Sequence, residues 1–376
     1  MGSTRVPAEV FPPGEFLKEE LEARGWTQTE FAEIIDKDTR LVSEVIGGKR
    51  AVTPETAVAI GEALGTGPEL WMNLESQYQL SKVRNVGNDI ARKARLHAAY
   101  PVREMVKRGW LQATRNVDVL QQELFNFFEI SGIDERPRFL HAARKASYEN
   151  ITSQQFAWLF RARSIAETLA AKPYSEEALR KVIPTLRSLM NAPEDAAGVT
   201  ALLTSAGVRV VFIETLPGSK IDGACFWLDA RKPVIAMSLR HDRIDNFWFV
   251  LRHELEHVLR GHGKAGVCLD QEVDNGQSNE LPEEERVANA EAEDFCVPKA
   301  QLDDFVAEVG PFFTDERVCL FAQRMQVHPG VVVGQLQRRI HRYDLLKKHQ
   351  VKVRSVLTAA GPTDGWGHSY PTQAWT

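Results

Sequence analysis

The stretch FWFVLRHELEHVLRGHG, residues 247–263, carries two patterns at once. Phe247, Val250, Leu251, Leu255, Val258 and Leu259 recur at helical spacing, which predicts a helix with an apolar face turned into a core. Within it, His253 and His257 stand at i and i+4, so both imidazoles project from one face and can share a divalent cation. Glu254 lies one step round, placed to take a proton from water activated there. A surface helix with two solvated histidines is the competing reading. The apolar run from Phe247 to Leu251 weighs against it, because a buried imidazole pair needs a partner and a metal is a natural one.

Three protein ligands and an open position are the pattern of a hydrolytic zinc centre. His262 follows His257 too closely on the same helix to be the third, and Gly263 stands where a metzincin pattern would put a histidine. The better source is EEERVANAEAEDFCVP, a strongly helical stretch about 28 residues downstream. There Glu285 and Asn289 share one face at i and i+4. Glu285 is read as the third ligand, and Asn289 as a hydrogen-bond partner for a ligand histidine. Ala288 and Ala292 leave room for close helix packing. Glu284, Glu291, Glu293 and Asp294 are competing carboxylates, read as charge on the outer face. The expected cofactor is one zinc ion per chain, with Glu254 as the catalytic base. His328 and Tyr343 are candidate donors to an oxyanion, and the sequence does not rank them.

Upstream of the histidines lie three short apolar runs between Gly and Pro turn signals: 208–214, 224–230 and 233–239. They predict a small sheet against the histidine helix, with an edge strand able to bind an extended peptide. Cys225, Cys268, Cys296 and Cys319 are widely spaced and form no CxxC pair. They read as free thiols in a reducing compartment.

Residues 11–95 form a different module. Pro-led and Thr-capped segments with Gly stops predict short helices at 12–25, 27–35, 39–46 and 53–65, in the order of a helix-turn-helix. Leu41, Val42, Val45 and Ile46 of TRLVSEVI pack inward, while Thr39, Arg40, Ser43 and Glu44 face a DNA major groove. Gln28, Lys49 and Arg50 are placed to touch phosphates. A helical protein-binding domain of the same shape is the alternative. Charge lends it weight: residues 1–95 hold 12 Lys and Arg against 15 Asp and Glu, where a DNA binder is usually basic. DNA binding therefore calls for a homodimer with locally concentrated basic residues.

Two resemblances follow from these residues. TQTEFAEIIDKDTRLVSEVIGGKRAVTPETAVAIGEALGTGPELWMNLESQYQL resembles the HigA-type branch of the Xre-like helix-turn-helix regulators, with Gly47 where that family more often has Asn. RHDRIDNFWFVLRHELEH, then Glu285-x-x-Ala288-Asn289 and Pro298, then His328-Pro329-Gly330 with Gly334-Gln335-Leu336, resemble the ImmA/IrrE-type metallopeptidases. That resemblance implies the ligands His253, His257 and Glu285 and the base Glu254. Glu256 and Glu291 depart from it, adding acid where the family is neutral. The likeness implies a regulator that binds operator DNA and cuts a repressor-like protein or itself. The alternative is a non-enzymatic HigA-like antitoxin with a cognate toxin, whose HExxH domain is structural or binds a partner.

The fold expected is α+β and mostly helical. A helix-turn-helix domain spans 1–95, a helical connector 96–200, a zincin-like domain with a small β-sheet 201–345, and a tail 346–376 without order at its end. Neither a secretory signal nor a membrane-length apolar run occurs, and the net charge is −5, so a cytoplasmic protein without a membrane partner is expected.

Overall fold

The computed structural model describes residues 10–83, 88–139, 151–264, 266–271 and 282–371. Contacts divide the chain into two compact units, Met1–Ala91 and Arg92–Thr376. Among the described residues no helix is long and apolar enough to cross a membrane.

The first unit is five helices: α1 (Pro13–Arg24), α2 (Gln28–Ile34), α3 (Thr39–Ile46), α4 (Pro54–Leu64) and α5 (Pro68–Val83). Local chemistry explains each boundary. Gly25 and Gly65 stop α1 and α4 in the left-handed region, at φ 69° and 73°. Thr27 and Glu30 form a reciprocal capping box that starts α2. The Asp38 carboxylate accepts the Arg40 N–H at 2.7 Å and starts α3. The helices close over Leu17, Phe31, Val42, Val45, Ile60 and Trp71.

The second unit opens with α6 (Asp89–Ala99), which straddles the boundary, then α7 (Val102–Lys107), α8 (Val117–Phe128), α9 (Ser153–Thr168), α10 (Glu176–Ser188) and α11 (Val199–Ser205). Strands β1 (Arg209–Ile213), β2 (Ile221–Trp227) and β3 (Pro233–Met237) precede α12 (Ile244–Leu259). After it come β4 (Cys268–Gln271), α13 (Glu283–Cys296), α14 (Lys299–Val309), α15 (Asp315–Met325), α16 (Pro329–Ile340), α17 (Arg354–Ala360) and β5 (Thr363–Asp364). The sheet order is β4-β2-β3-β1-β5. β1 runs parallel to β3 and β5, and β2 runs antiparallel to β3 and β4.

Alternation along the strands builds two cores. Val210, Phe212, Cys225, Ile235 and Met237 face α10, α11 and α12. Val211, Ile213, Ala224, Phe226 and Ala236 face α8 and α9. Both sheet faces are thus covered, which is why β1 and β3 are buried along their whole length. The helices expected as a connector therefore cover the sheet, α8 and α9 on one face and α10 on the other. Arg161 and Arg163 of that segment are buried, paired with Asp364 and Glu129; Arg144 and Lys145 lie outside the described residues.

Two expectations change. The second strand starts at Ile221, three residues earlier than the pattern suggested, because a sheet covered on both sides leaves this strand no exposed face to mark its start. The tail, expected to lack order at its end, is built into the fold as far as it is described, and residues 372–376 lie outside the description. β5 extends the sheet beside β1. Asp364 is 1% exposed. It accepts from Trp110 Nε1 at 2.8 Å, the Arg161 guanidinium and the Tyr370 N–H. A Gly- and Pro-rich composition concealed this, since the order comes from one buried ion pair. Asp364→Ala leaves Arg161 without its carboxylate and should lower unfolding free energy by about 3–5 kcal/mol. Urea denaturation checks this, and a loss below about 1 kcal/mol would mean the pair does not anchor the tail.

Candidate metal centre and recognition helix

α12 is buried from Phe247 to Leu259. It lies on β2 and β3, with α13 and α16 packed beside it. The small residues Ala288 and Ala292 of α13, 1% and 0% exposed, let the two helices approach. Glu285 is thereby brought to the histidines. Its oxygens stand 3.2 Å from His253 Nε2 and 3.5 Å from His257 Nε2, and the two Nε2 atoms are 3.0 Å apart.

The outer nitrogens of both rings are engaged. His253 Nδ1 meets Asn289 Oδ1 at 3.0 Å. An amide oxygen only accepts, so Nδ1 donates to it, and Nε2 is the atom turned toward Glu285 and His257. His257 Nδ1 meets His262 Nδ1 at 3.0 Å. The His262 carbonyl in turn accepts from Trp227 Nε1 at 2.8 Å, which fixes that turn against the sheet. His262, set aside as a third ligand, lies behind the His257 ring instead. Its spacing five residues after His257, at a helix end, was the available signal.

Glu254 is 0% exposed, and neither of its oxygens has a hydrogen-bond partner among the described residues. Burial pushes its carboxyl well above the usual range, and Asp270, Glu285 and Asp222 push the same way. Gly223 makes the space. A Cβ there would lie 2.5 Å from Glu254 Oε1. The β2–β4 register shifts between Ile221 and Gly223, and Arg240 holds Asp222 through two bonds of 3.0 and 2.8 Å. Such irregularities re-aim side chains beside active sites. Across that shift Asp270 of β4 brings a carboxylate within 4.8 Å of the donor atoms of His253 and Glu254. Desolvation lifts Asp270 to about 6. Neither Gly223 nor Asp270 had a pattern that could announce it.

Burial also works to raise Glu285, but hydrogen bonds with His253 and His257 outweigh it and hold the carboxyl below its ordinary range. Two imidazole nitrogens and one carboxylate thus converge, with an unpartnered buried carboxylate beside them. These residues fit a tetrahedral divalent cation with a position left for water.

The acidic departures fall elsewhere. Glu256 accepts from both Arg252 guanidinium nitrogens at 2.9 Å and from Arg260 at 2.6 Å. Glu291 pairs with Arg252 at 3.0 Å. Their charge is neutralised locally. Of the two oxyanion candidates, His328 Nδ1 accepts the Gly330 N–H and caps α16, and Tyr343 is exposed.

In the first unit, α3 buries Val42 and Val45, with Leu41 and Ile46 partly buried. Thr39, Arg40 and Ser43 are exposed, as are Gln28, Lys49 and Arg50. The left-handed turn after α3 falls on Gly48 at φ 66°, whereas Gly47 sits at φ −74°, a backbone conformation that any residue adopts. Glu44 bonds Arg40 and Arg50 at 2.8 Å each. Glu44 thus holds one arginine expected at the major groove, Arg40, and one expected at a phosphate, Arg50.

Residues 17–71 match the Helix-turn-helix family, and residues 204–340 match the IrrE N-terminal-like domain of the M78 peptidases. An uncharacterized HTH-type transcriptional regulator of Escherichia coli, YddM, is 30% identical over 84 residues, spanning 22% of this chain and 88% of that protein. Virulence-associated protein A' of Dichelobacter nodosus is 34% identical over 85 residues, 22% of this chain and 71% of its own. The solved structure of an addiction module antidote protein of a HigA family from Coxiella burnetii is 29% identical. It covers 22% of this chain and 92% of its own, with a TM-score of 0.21.

The hydrogen bonds behind the two imidazoles carry a direct expectation. His262→Ala and Asn289→Ala should each weaken zinc affinity by about 10–100-fold. Competition with a chromophoric chelator measures it, and affinities equal to the parent would show that these contacts do not orient ligands.

Proposed function

We propose that this chain, which belongs to the helix-turn-helix transcriptional regulators and carries an IrrE N-terminal-like domain, is a DNA-binding regulator whose second unit is a zinc-dependent endopeptidase acting on a regulatory protein. The observation that carries this reading is Glu254. A purely structural metal site has no use for a buried, unpartnered carboxylate beside its ligands, and leaving one there is costly. A proton-transferring base accounts for it.

His253, His257 and Glu285 would hold one zinc ion, the cation that two imidazoles and a carboxylate suit. When bound, zinc supplies Lewis acidity that activates water and polarises a peptide carbonyl. Glu254 takes the proton of the attacking water and passes it to the leaving amine nitrogen as the C–N bond breaks. Asn289 and His262 keep the imidazoles in register. The β4 edge offers backbone groups to an extended substrate, so that the scissile bond lies beside Glu254. The substrate class is a repressor-like protein or another copy of this chain. The protein works in the cytoplasm, where its operator DNA lies.

The DNA arm rests on the exposed face of α3 and on Lys49 and Arg50. On DNA, the major groove would replace Glu44 as the partner of Arg40, and a phosphate oxygen would replace it as the partner of Arg50. Two copies reading two half-sites would supply the basic density that one unit lacks.

Two experiments test the two arms. Glu254→Gln should keep one zinc per chain yet lose cleavage of a co-incubated repressor by at least about 100-fold, within the range that general-base catalysis supplies. Zinc bound with no cleavage by either form would leave the non-enzymatic, toxin-partnered reading standing. In the second, the chain should retard its own promoter at low salt. Lys49→Ala should reduce the slope of log affinity against log salt by about 1. No retardation at low salt would sink the DNA arm.

A further inference from the structure

A second set of metal-ligating side chains lies in the second unit, sharing no residue with the HExxH centre. Asp315 opens α15 directly after the Thr314 cap, and Cys319 follows one turn later. At i and i+4 the two project from one face. Opposite them is the turn Lys347–His349. Leu346 holds the left-handed region at φ 49° to set that turn against α15, a conformation a branched side chain adopts at a cost. His349 is largely buried, at 16% side-chain exposure, and its Nε2 is aimed at Asp315 Oδ1. One donor atom each from Asp315, Cys319 and His349 lies within 4.8 Å of the others.

We propose that Asp315, Cys319 and His349 form a second divalent-cation site, of the zinc class. An ion pair alone accounts for Asp315 and His349, but not for a thiol at the same point. Carboxylate, thiolate and imidazole together are a borderline-soft donor set, suited to zinc rather than magnesium or calcium. Three protein ligands leave one position for water. Lys348 Nζ stands 3.0 Å from Asp315 Oδ1 and is 63% exposed. It serves as the counter-ion without metal and swings into solvent when the cation arrives. That displacement makes this site weaker than the HExxH centre.

The site would act on the fold through the segment that follows His349. The Val351 carbonyl accepts the Ile244 N–H, the first residue of α12, at 3.0 Å. The Asp242 carboxylate accepts the Val353 and Arg354 N–H groups at 3.0 and 2.8 Å. A cation joining His349 to α15 pins the segment that seats the start of the histidine helix.

Cobalt(II) distinguishes the two sites, because a thiolate ligand gives a near-ultraviolet charge-transfer band and the HExxH ligands include no sulfur. The metal-free full-length chain is titrated with cobalt. The expected result is a thiolate-to-cobalt band that saturates at one cobalt per chain after the first equivalent is bound. It should persist in Glu285→Gln and vanish in both Cys319→Ser and His349→Ala. Absence of the band in the parent protein would overturn the proposal. So would its survival in Cys319→Ser, which would place the thiolate at another cysteine such as half-buried Cys268.

Discussion

Two imidazole nitrogens face each other at 3.0 Å with carboxylate oxygens 3.2 and 3.5 Å away, all within a buried helix pair. Such a convergence of lone pairs is unfavourable without a cation or protons among them. The second unit is built to enforce it. Asn289 and His262 turn the rings inward, Ala288 and Ala292 bring α13 close, and Gly223 opens the space into which Glu254 points. Each of these residues would be unremarkable alone; together they hold donor groups at a spacing that repels them. This is pre-organisation in the electrostatic sense, with the cost of assembling like groups met by folding rather than by the ligand.

The same helix buries more charge than its ligands require. Arg252 and Glu256 are 5% and 6% exposed. Both guanidinium ends of Arg252 donate to Glu256, one of them also to Glu291, and Arg260 gives Glu256 a second partner. The two acids that depart from the metallopeptidase pattern are therefore linked to one another through a shared arginine. A substitution at Glu256 or Glu291 should be considered with Arg252, because residues in one network do not act additively.

Much of this was legible before any coordinates. Thr39 and Gly47 mark the ends of α3 in the letters, since helix starts and glycine stops are local chemistry. The i,i+4 pair His253 and His257, and Glu285 with Asn289, follow from helical geometry. What escaped is non-local. β4 and β5 are too short to show alternation and exist through pairing with β2 and β1. Gly223 matters through an atom 31 positions later in the chain, and Asp364 through Trp110 and Arg161 on distant helices. The helices of 96–200 showed their period, but not that the sheet has a second face to cover. Charge counts misled about Glu44, Glu256 and Glu291, because a tally does not register which arginine each acid meets.

The strand at Thr363–Asp364 also sets an order of events during synthesis. The first unit draws its core from Leu17 to Trp71 and can close once those residues have left the ribosome. The second cannot complete the β1 edge, or neutralise Arg161, until residue 364 has emerged. At translation rates of roughly 5–20 residues per second, that interval lasts on the order of a quarter-minute to a minute. A nascent chain thus carries a folded helix-turn-helix unit well before it carries a finished second unit. A chain stopped short of residue 364 would present the first without the second.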